Sequence, residues 1–160
     1  MTFFSQNGWV ASSNKDEIHV KNFQVPNANR HFSCTEGAAP ILIAFAAFYH
    51  QYIQKIDVGT YDDWGYNFAV IPGQSIYSNH ASGTAIDINA TLHPWKSTKS
   101  NFNKLQEIRI RWKCRQLGIR WGFDYKYGWK DPMHFEIIET PAQVKARIAS
   151  LKLPMPKVSA

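Results

Sequence analysis

The chain has 160 residues, 44% of them hydrophobic and 19% charged, the proportions of an ordinary globular domain long enough to bury a core without disulfide or metal staples. Disordered and collagen-like architectures are excluded, and the most apolar stretch, Ile41 to Tyr49, ends at His50, far short of the ~20 residues a bilayer span needs. A net charge of +6 and a pI near 9.4 favour an anionic partner, without choosing among nucleic acid, membrane surface and cell-wall polymer.

No basic segment followed by an apolar run opens the chain, so no Sec-type signal is read. Residues 1–35 are polar and irregular, with strand-like pieces at Ile18-His19-Val20 and Phe23-Gln24-Val25. Thr35 to Pro40 reads as a helix entry, and Ile41 to Ile56 as a buried helix whose His50 meets a polar contact rather than a metal. Residues 57–79, punctuated by Gly59, Gly65, Pro72 and Gly73, suggest loops and short strands, and residues 84–90 alternate as a strand. Phe102, Leu105, Ile108 and Trp112 recur at near-helical spacing before Gly118, predicting an amphipathic helix over 101–117. Gly122 to Asp131 reads as a hairpin or loop, and His134 to Ile138 as a strand. Thr140-Pro141-Ala142-Gln143 combines a capping box with proline at the first helical position, opening a last helix with Val144, Ile148 and Leu151 as its apolar stripe. Residues 152–160 read as a frayed tail. Mixed helices and strands without βαβ repeats, and without a linker or internal repeat, indicate one α+β domain over 1–160 with an antiparallel sheet. Cys34 and Cys114 read as reduced, buried thiols, with a disulfide between them left open by the sequence.

Two segments carry chemistry: Ser78-Asn79-His80-Ala81-Ser82-Gly83-Thr84-Ala85-Ile86-Asp87-Ile88-Asn89, and Trp129-Lys130-Asp131-Pro132-Met133-His134-Phe135-Glu136-Ile137. On the first strand Ile86 and Ile88 face the core, while Ala85, Asp87 and Asn89 face the other way. On the second, Phe135 and Ile137 alternate with His134 and Glu136, so His134 points away from the core. Two histidines and an aspartate offer three ligands of the N/O kind that zinc accepts in catalytic sites, with a fourth position open. Asp131, three residues before His134, is the candidate general acid–base, and Glu136 is placed to orient a ligand histidine from behind. His93 reads as structural or solvent-exposed near the rim, and Tyr125, Tyr127 and Trp129 as groove-lining or hairpin-packing residues. No helix-turn-helix or RNA-binding motif interleaves the scattered Lys and Arg with aromatics, so nucleic acid is not the expected partner.

The two segments resemble the M15, or VanY-like, zinc peptidases that cleave peptidoglycan stem peptides. Ser78, His80, Gly83, Ala85 and Asp87 match the pattern Ser-x-His-x-x-Gly-x-Ala-x-Asp, and Asp131-x-x-His134 matches its continuation. The stretches SNHASGTAIDIN and DPMHFEI are similar to the phage-endolysin branch of L-alanyl-D-glutamate peptidases, whereas the vancomycin-resistance type carries Glu at the base position. With Cys34 to Pro40, Trp64-Gly65-Tyr66 and Thr140 to Gln143, the likeness spans roughly residues 30–150. It implies a hedgehog/D,D-peptidase-like α+β fold, whose small antiparallel sheet carries a Zn2+ site and packs with helices. It implies His80, Asp87 and His134 as the zinc ligands, Asp131 as general base and then acid around a zinc-activated water, and Ser78 in contact with substrate. It further implies synthesis in a host cytoplasm and release at lysis. The protein is expected to act as a monomer on the wall, where its +6 charge would meet anionic polymers.

One departure stands out. Relatives carry one or two arginines in a stretch corresponding to residues 66–73, where this chain has Ala69 and Pro72. Losing a donor aimed at developing negative charge costs about 2.7–4 kcal/mol of barrier, so either another cation substitutes through the fold, the substrate differs or turnover is slow. Two alternatives follow: a D-Ala-D-Ala carboxypeptidase, and a non-catalytic zinc-containing cell-wall-binding protein.

Overall fold

A computed structural model describes residues 1–159 and shows how the apolar faces of these elements meet. The N-terminal third forms two antiparallel hairpins, β1 (Phe3–Phe4) with β2 (Val10–Ala11) and β3 (Val20–Gln24) with β4 (His31–Thr35). The two strand-like pieces expected around His19 and Phe23 become a single strand. Asp16–Ile18 instead closes into a 3₁₀ turn, ended by His19 in the left-handed region at φ 50°. β4 was not expected; its only apolar signal is the alternation of Phe32 and Cys34, both buried.

Helix α1 (Ala39–Tyr52) is apolar nearly all round and buries Ile41, Leu42, Phe45, Ala46 and Tyr49. It ends before the expected Ile56 because the chain turns back: the backbone N–H groups of Ile53 and Gln54 both donate to the Tyr49 carbonyl at 2.9 Å. His50 holds that turn, its Nδ1 accepting from the Ile56 N–H at 3.3 Å, which is the polar contact expected of it. Helix α2 (Lys104–Leu117) starts at a capping box of Asn103 and Gln106 and stops at Gly118, φ 69°. Its buried stripe is not the expected one. Ile110, Cys114 and Leu117 face the core, whereas Leu105, Ile108 and Trp112 are half exposed. The helix carries two apolar stripes; the first is buried in the core, whereas the second meets α1 only at its edge, where Phe48 packs against Trp112 at 5.9 Å. Helix α3 (Pro141–Leu151) has both bonds of the Thr140–Gln143 capping box and buries Val144. Residues 157–159 are not frayed: Gln24 N–H donates to the Lys157 carbonyl and Ser159 N–H to the Asn22 carbonyl, both at 2.8 Å, laying the tail along β3. Cys34 and Cys114 are free and buried. No helix of the described residues is long and apolar enough to cross a membrane.

The sheet that matters is β5 (Ala85–Asp87), β6 (Ile119–Trp121) and β7 (His134–Ile137), antiparallel in the order β5-β7-β6. Its register sorts every side chain. Ile86, Phe135, Ile137, Ile119 and Trp121 fall on one face and are buried in the core, where the Phe135 ring stands 4.5 Å from Phe45 of α1 and Trp121 packs against Phe102. Ala85, Asp87, His134, Glu136 and Arg120 fall on the other. Asp87 pairs directly with His134, and the next row reads Ala85, Glu136, Arg120. The architecture is a small α+β fold.

Candidate active site

Each ligand candidate is positioned by a distinct local device. Ser78 caps the 3₁₀ turn Asn79–Ser82, its hydroxyl accepting from the His80 N–H at 3.3 Å. Gly83 ends the turn at φ 67°, where an added Cβ would sit 2.6 Å from the Thr35 nitrogen, so glycine is required there. Asp87 leaves β5 with its backbone bonded in both directions to Trp64, at 2.7 and 3.0 Å. Asp131 and His134 bracket a tight turn: the His134 N–H donates to the Asp131 carbonyl at 3.2 Å, and the Asp131 N–H to the Gly122 carbonyl at 2.9 Å.

The ring nitrogens sort themselves by their outer partners. His80 Nδ1 lies 2.7 Å from the Gly65 carbonyl, which can only accept, so Nδ1 carries the proton and Nε2 faces inward. His134 Nε2 donates to Glu136 Oε2 at 3.0 Å, which turns Nδ1 inward. The inward atoms are His80 Nε2, His134 Nδ1 and Asp87 Oδ1, separated by 3.1, 2.9 and 3.3 Å. Ligands ~2.0–2.1 Å from a tetrahedral zinc are about 3.3 Å apart, so these three donors fit the ion in both chemistry and spacing. They form the one group among the described residues whose His, Cys, Asp or Glu donors converge enough to hold a metal.

Electrostatics follow from this crowding. Burial raises the Asp87 carboxyl, but the two histidines outweigh it and hold the group well below the usual carboxylate range. Burial likewise raises Glu136, yet the His134 hydrogen bond and a 2.6 Å bond from Asn79 Nδ2 help bring it down to about 2. Burial lowers His134, but hydrogen bonds to Asp87 and Glu136 raise it well above its ordinary value. Asp131 is the exception: burial pushes its carboxyl up to about 6, with His134 opposing and Asp87 reinforcing. Its Oδ1 is buried without a hydrogen-bond partner, the single such side-chain atom among the described residues. An orphaned acceptor beside three converging donors is what a carboxylate awaiting a partner in the cavity looks like.

Two cavities meet at these residues. One, of about 760 Å³, is walled by Ser78, Asp131, His134, Glu136, Arg120 and Trp129 among others. The second, of about 500 Å³, is walled by Tyr61, Trp64, Tyr66 and His31. Asn67, His80 and Asp87 border both. Ala69 and Pro72 line the larger cavity, so no arginine comes from that segment. His93 is structural rather than exposed or at the rim: it is buried, with Nδ1 2.8 Å from the Ser100 carbonyl, Nε2 2.8 Å from Gln54 Oε1, and its ring stacked on Phe102. Tyr125 and Trp129 line the larger cavity, whereas Tyr127 is exposed.

Three contributors escaped the sequence reading: Gly65, Asn79 and Arg120. Arg120 had a signal, the alternation Ile119-Arg120-Trp121 after a helix-ending glycine, which marks a strand with its middle residue outward. Gly65 is tested simply. An added Cβ would lie 2.1 Å from the Ser33 carbonyl oxygen, so the backbone that holds His80 must move. Gly65→Ala is expected to lower stability by about 1–3 kcal/mol and to weaken zinc affinity about 10- to 100-fold. Thermal melts and a competitive zinc titration read the two effects separately.

A search of curated proteins and a search of solved structures gave no match. The site-bearing part of the chain, residues 72–137, matches the M15 peptidase family through the family model described as D-alanyl-D-alanine carboxypeptidase.

Proposed function

We propose that this chain is a zinc-dependent peptidoglycan stem-peptide hydrolase of the endolysin type, cutting between L-Ala and D-Glu. The family match implies a metallopeptidase acting on peptidoglycan, and the His80, Asp87 and His134 donors suit the metal. The observation that carries the finer reading is the pair of cavities meeting at His80 and Asp87. An endopeptidase needs room for chain on both sides of the scissile bond, whereas a carboxypeptidase needs one side closed behind a terminal carboxylate. The resemblance of SNHASGTAIDIN and DPMHFEI to endolysins supports the same choice, and with it action on the wall after release at lysis.

Zinc, when bound, would polarise the scissile carbonyl and lower the pKa of a water. The chain's own residues do the rest. His80, Asp87 and His134 hold the ion, with Gly65 and Glu136 fixing the orientation of the two rings. Asp131, with an unpartnered oxygen in the same cavity, takes a proton from the attacking water and returns it to the departing amine. Ser78 lines that cavity and stands where it can touch substrate. The protein acts as a monomer in this reading, held on anionic wall polymers by salt-sensitive attraction to its +6 charge.

The description of the matching family model favours a second reading, removal of a terminal D-Ala. Mass spectrometry of purified peptidoglycan after digestion, with and without chelator, separates them. New D-Glu N-termini that vanish with chelator are expected. Free D-Ala instead would establish the second reading, and an unchanged digest from zinc-loaded protein would leave a non-catalytic wall binder.

A further inference from the structure

The two cavities differ in charge. No lysine or arginine walls the smaller one, and its Asp63 is committed to the buried Arg30 at 3.1 Å. The larger one carries Arg120 and Lys126. Its acids are largely spoken for. Asp124 accepts from Arg111 at 2.8 and 3.1 Å, and Glu136 Oε2 is bonded to His134 and Asn79. Arg120 is different. Its nearest acid is Glu136 Oε1, at 3.9 Å, too far for a hydrogen bond, and among the described residues no group is hydrogen-bonded to its guanidinium. Yet it is held in place by register, the middle residue of β6 opposite Glu136, projecting from the face that bears Asp87 and His134. A half-exposed guanidinium carried on a strand beside the ligand cluster, its backbone set by register, offers a planar fork to whatever enters.

Asp131 gives the cavity a direction. It borders the larger cavity and not the smaller, and the group that protonates the leaving amine must face the amine half of the substrate. Resting on the reading of the site as a stem-peptide hydrolase, we propose that Arg120 is a specificity-determining residue that binds the free α-carboxylate of the residue supplying the leaving amine. In a stem peptide that residue is D-Glu, linked onward through its side chain, so its α-carboxylate remains available next to the bond that breaks. The aromatic cavity then receives the acyl half. Arg120 brings a guanidinium to this cavity from β6, whereas Ala69 and Pro72, which line the same cavity, bring none.

The test compares N-acetyl-L-alanyl-D-glutamate with N-acetyl-L-alanyl-D-isoglutamine, which differ only in whether the α-carboxyl is free or an amide. Calorimetric titration into zinc-loaded Asp131→Asn protein, with and without Arg120→Ala, reads binding without turnover. The carboxylate form is expected to bind about 10- to 100-fold more tightly, the range of a charge-assisted pair, and Arg120→Ala is expected to bring the two forms level. Arg120→Lys keeps part of the preference, because the charge survives without the fork. A preference that persists in Arg120→Ala, or none in the Asp131→Asn parent, overturns the proposal. Its failure is distinguishable from failure of the proposed reaction. Cleavage of L-Ala-D-Glu that ignores amidation removes the role of Arg120 alone. Arg120-dependent binding without cleavage at that bond removes the reaction and keeps the carboxylate site.

Discussion

Asp131→Asn protein is expected to bind zinc as the parent does while losing on the order of 10²–10⁴ of its peptidoglycan hydrolysis, the usual contribution of a general acid–base group. The substitution keeps shape and volume and removes only the ability to take up and return a proton. The expectation rests on position. Asp131 is outside the converging donor set, its backbone is fixed at both ends by Gly122 and His134, and its Oδ1 has no protein partner. Burial has pushed its carboxyl up to about 6, closer to neutrality than any ordinary aspartate, as suits a group that must both accept and donate near physiological pH. Amine release from purified cell walls, measured beside the zinc content of the same preparation, checks both halves. Undiminished hydrolysis by the zinc-loaded variant would remove Asp131 from the chemistry.

The second large effect concerns folding. In zinc-free protein His134 lies between two carboxylates, 2.9 Å from Asp87 and 3.0 Å from Glu136, and it is buried. Removing one member of a buried, hydrogen-bonded ion pair costs about 3–5 kcal/mol, because the partner charge is left stranded. His134→Ala is therefore expected to lose that much in urea unfolding of the zinc-free protein, in addition to losing metal binding. Asp87 keeps His80 at 3.3 Å, so most of the cost falls on Glu136. A double variant, His134→Ala with Glu136→Gln, removes the stranded charge and should recover part of the loss. If the two substitutions merely add, the interaction between them is absent and the explanation fails.

How much of this the sequence disclosed depends on how local each determinant is. Helix α3 was legible to the residue, since Thr140, Pro141 and Gln143 make its start with bonds only three residues long. The facing of β5 and β7 was legible because alternation alone decides which side chains share a face, and the structure brings His80, Asp87 and His134 together as those faces require. Alternation did not show that His134 and Glu136 would be as buried as Phe135 and Ile137. Glu136 is covered by the side chain of Asn79 and His134 by the rings of His80 and Tyr125, all from outside the two strands. Which stripe of α2 faces inward was likewise a tertiary question, since Leu105, Ile108 and Trp112 fit the helical period as well as Ile110, Cys114 and Leu117 do. The role of the Gly65 carbonyl was hidden entirely. A backbone acceptor carries no residue signature, and it reaches His80 only because the loop after Trp64 is tied to β4 through Tyr66 N–H and the Ser33 carbonyl at 2.7 Å.

The spacing of the ligand residues along the chain has a mechanical consequence. His80 and His134 stand 54 positions apart, and the intervening segment includes all of α2 and β6. An ion gripped by both would tie off that loop as a disulfide ties one, and closing a loop of this length covalently is worth about 4 kcal/mol in chain entropy. A tether of that kind acts on the unfolded chain as well as on the site. It would make the ion-loaded chain more stable against unfolding, and would make withdrawal of the ion a loss of stability as well as of chemistry.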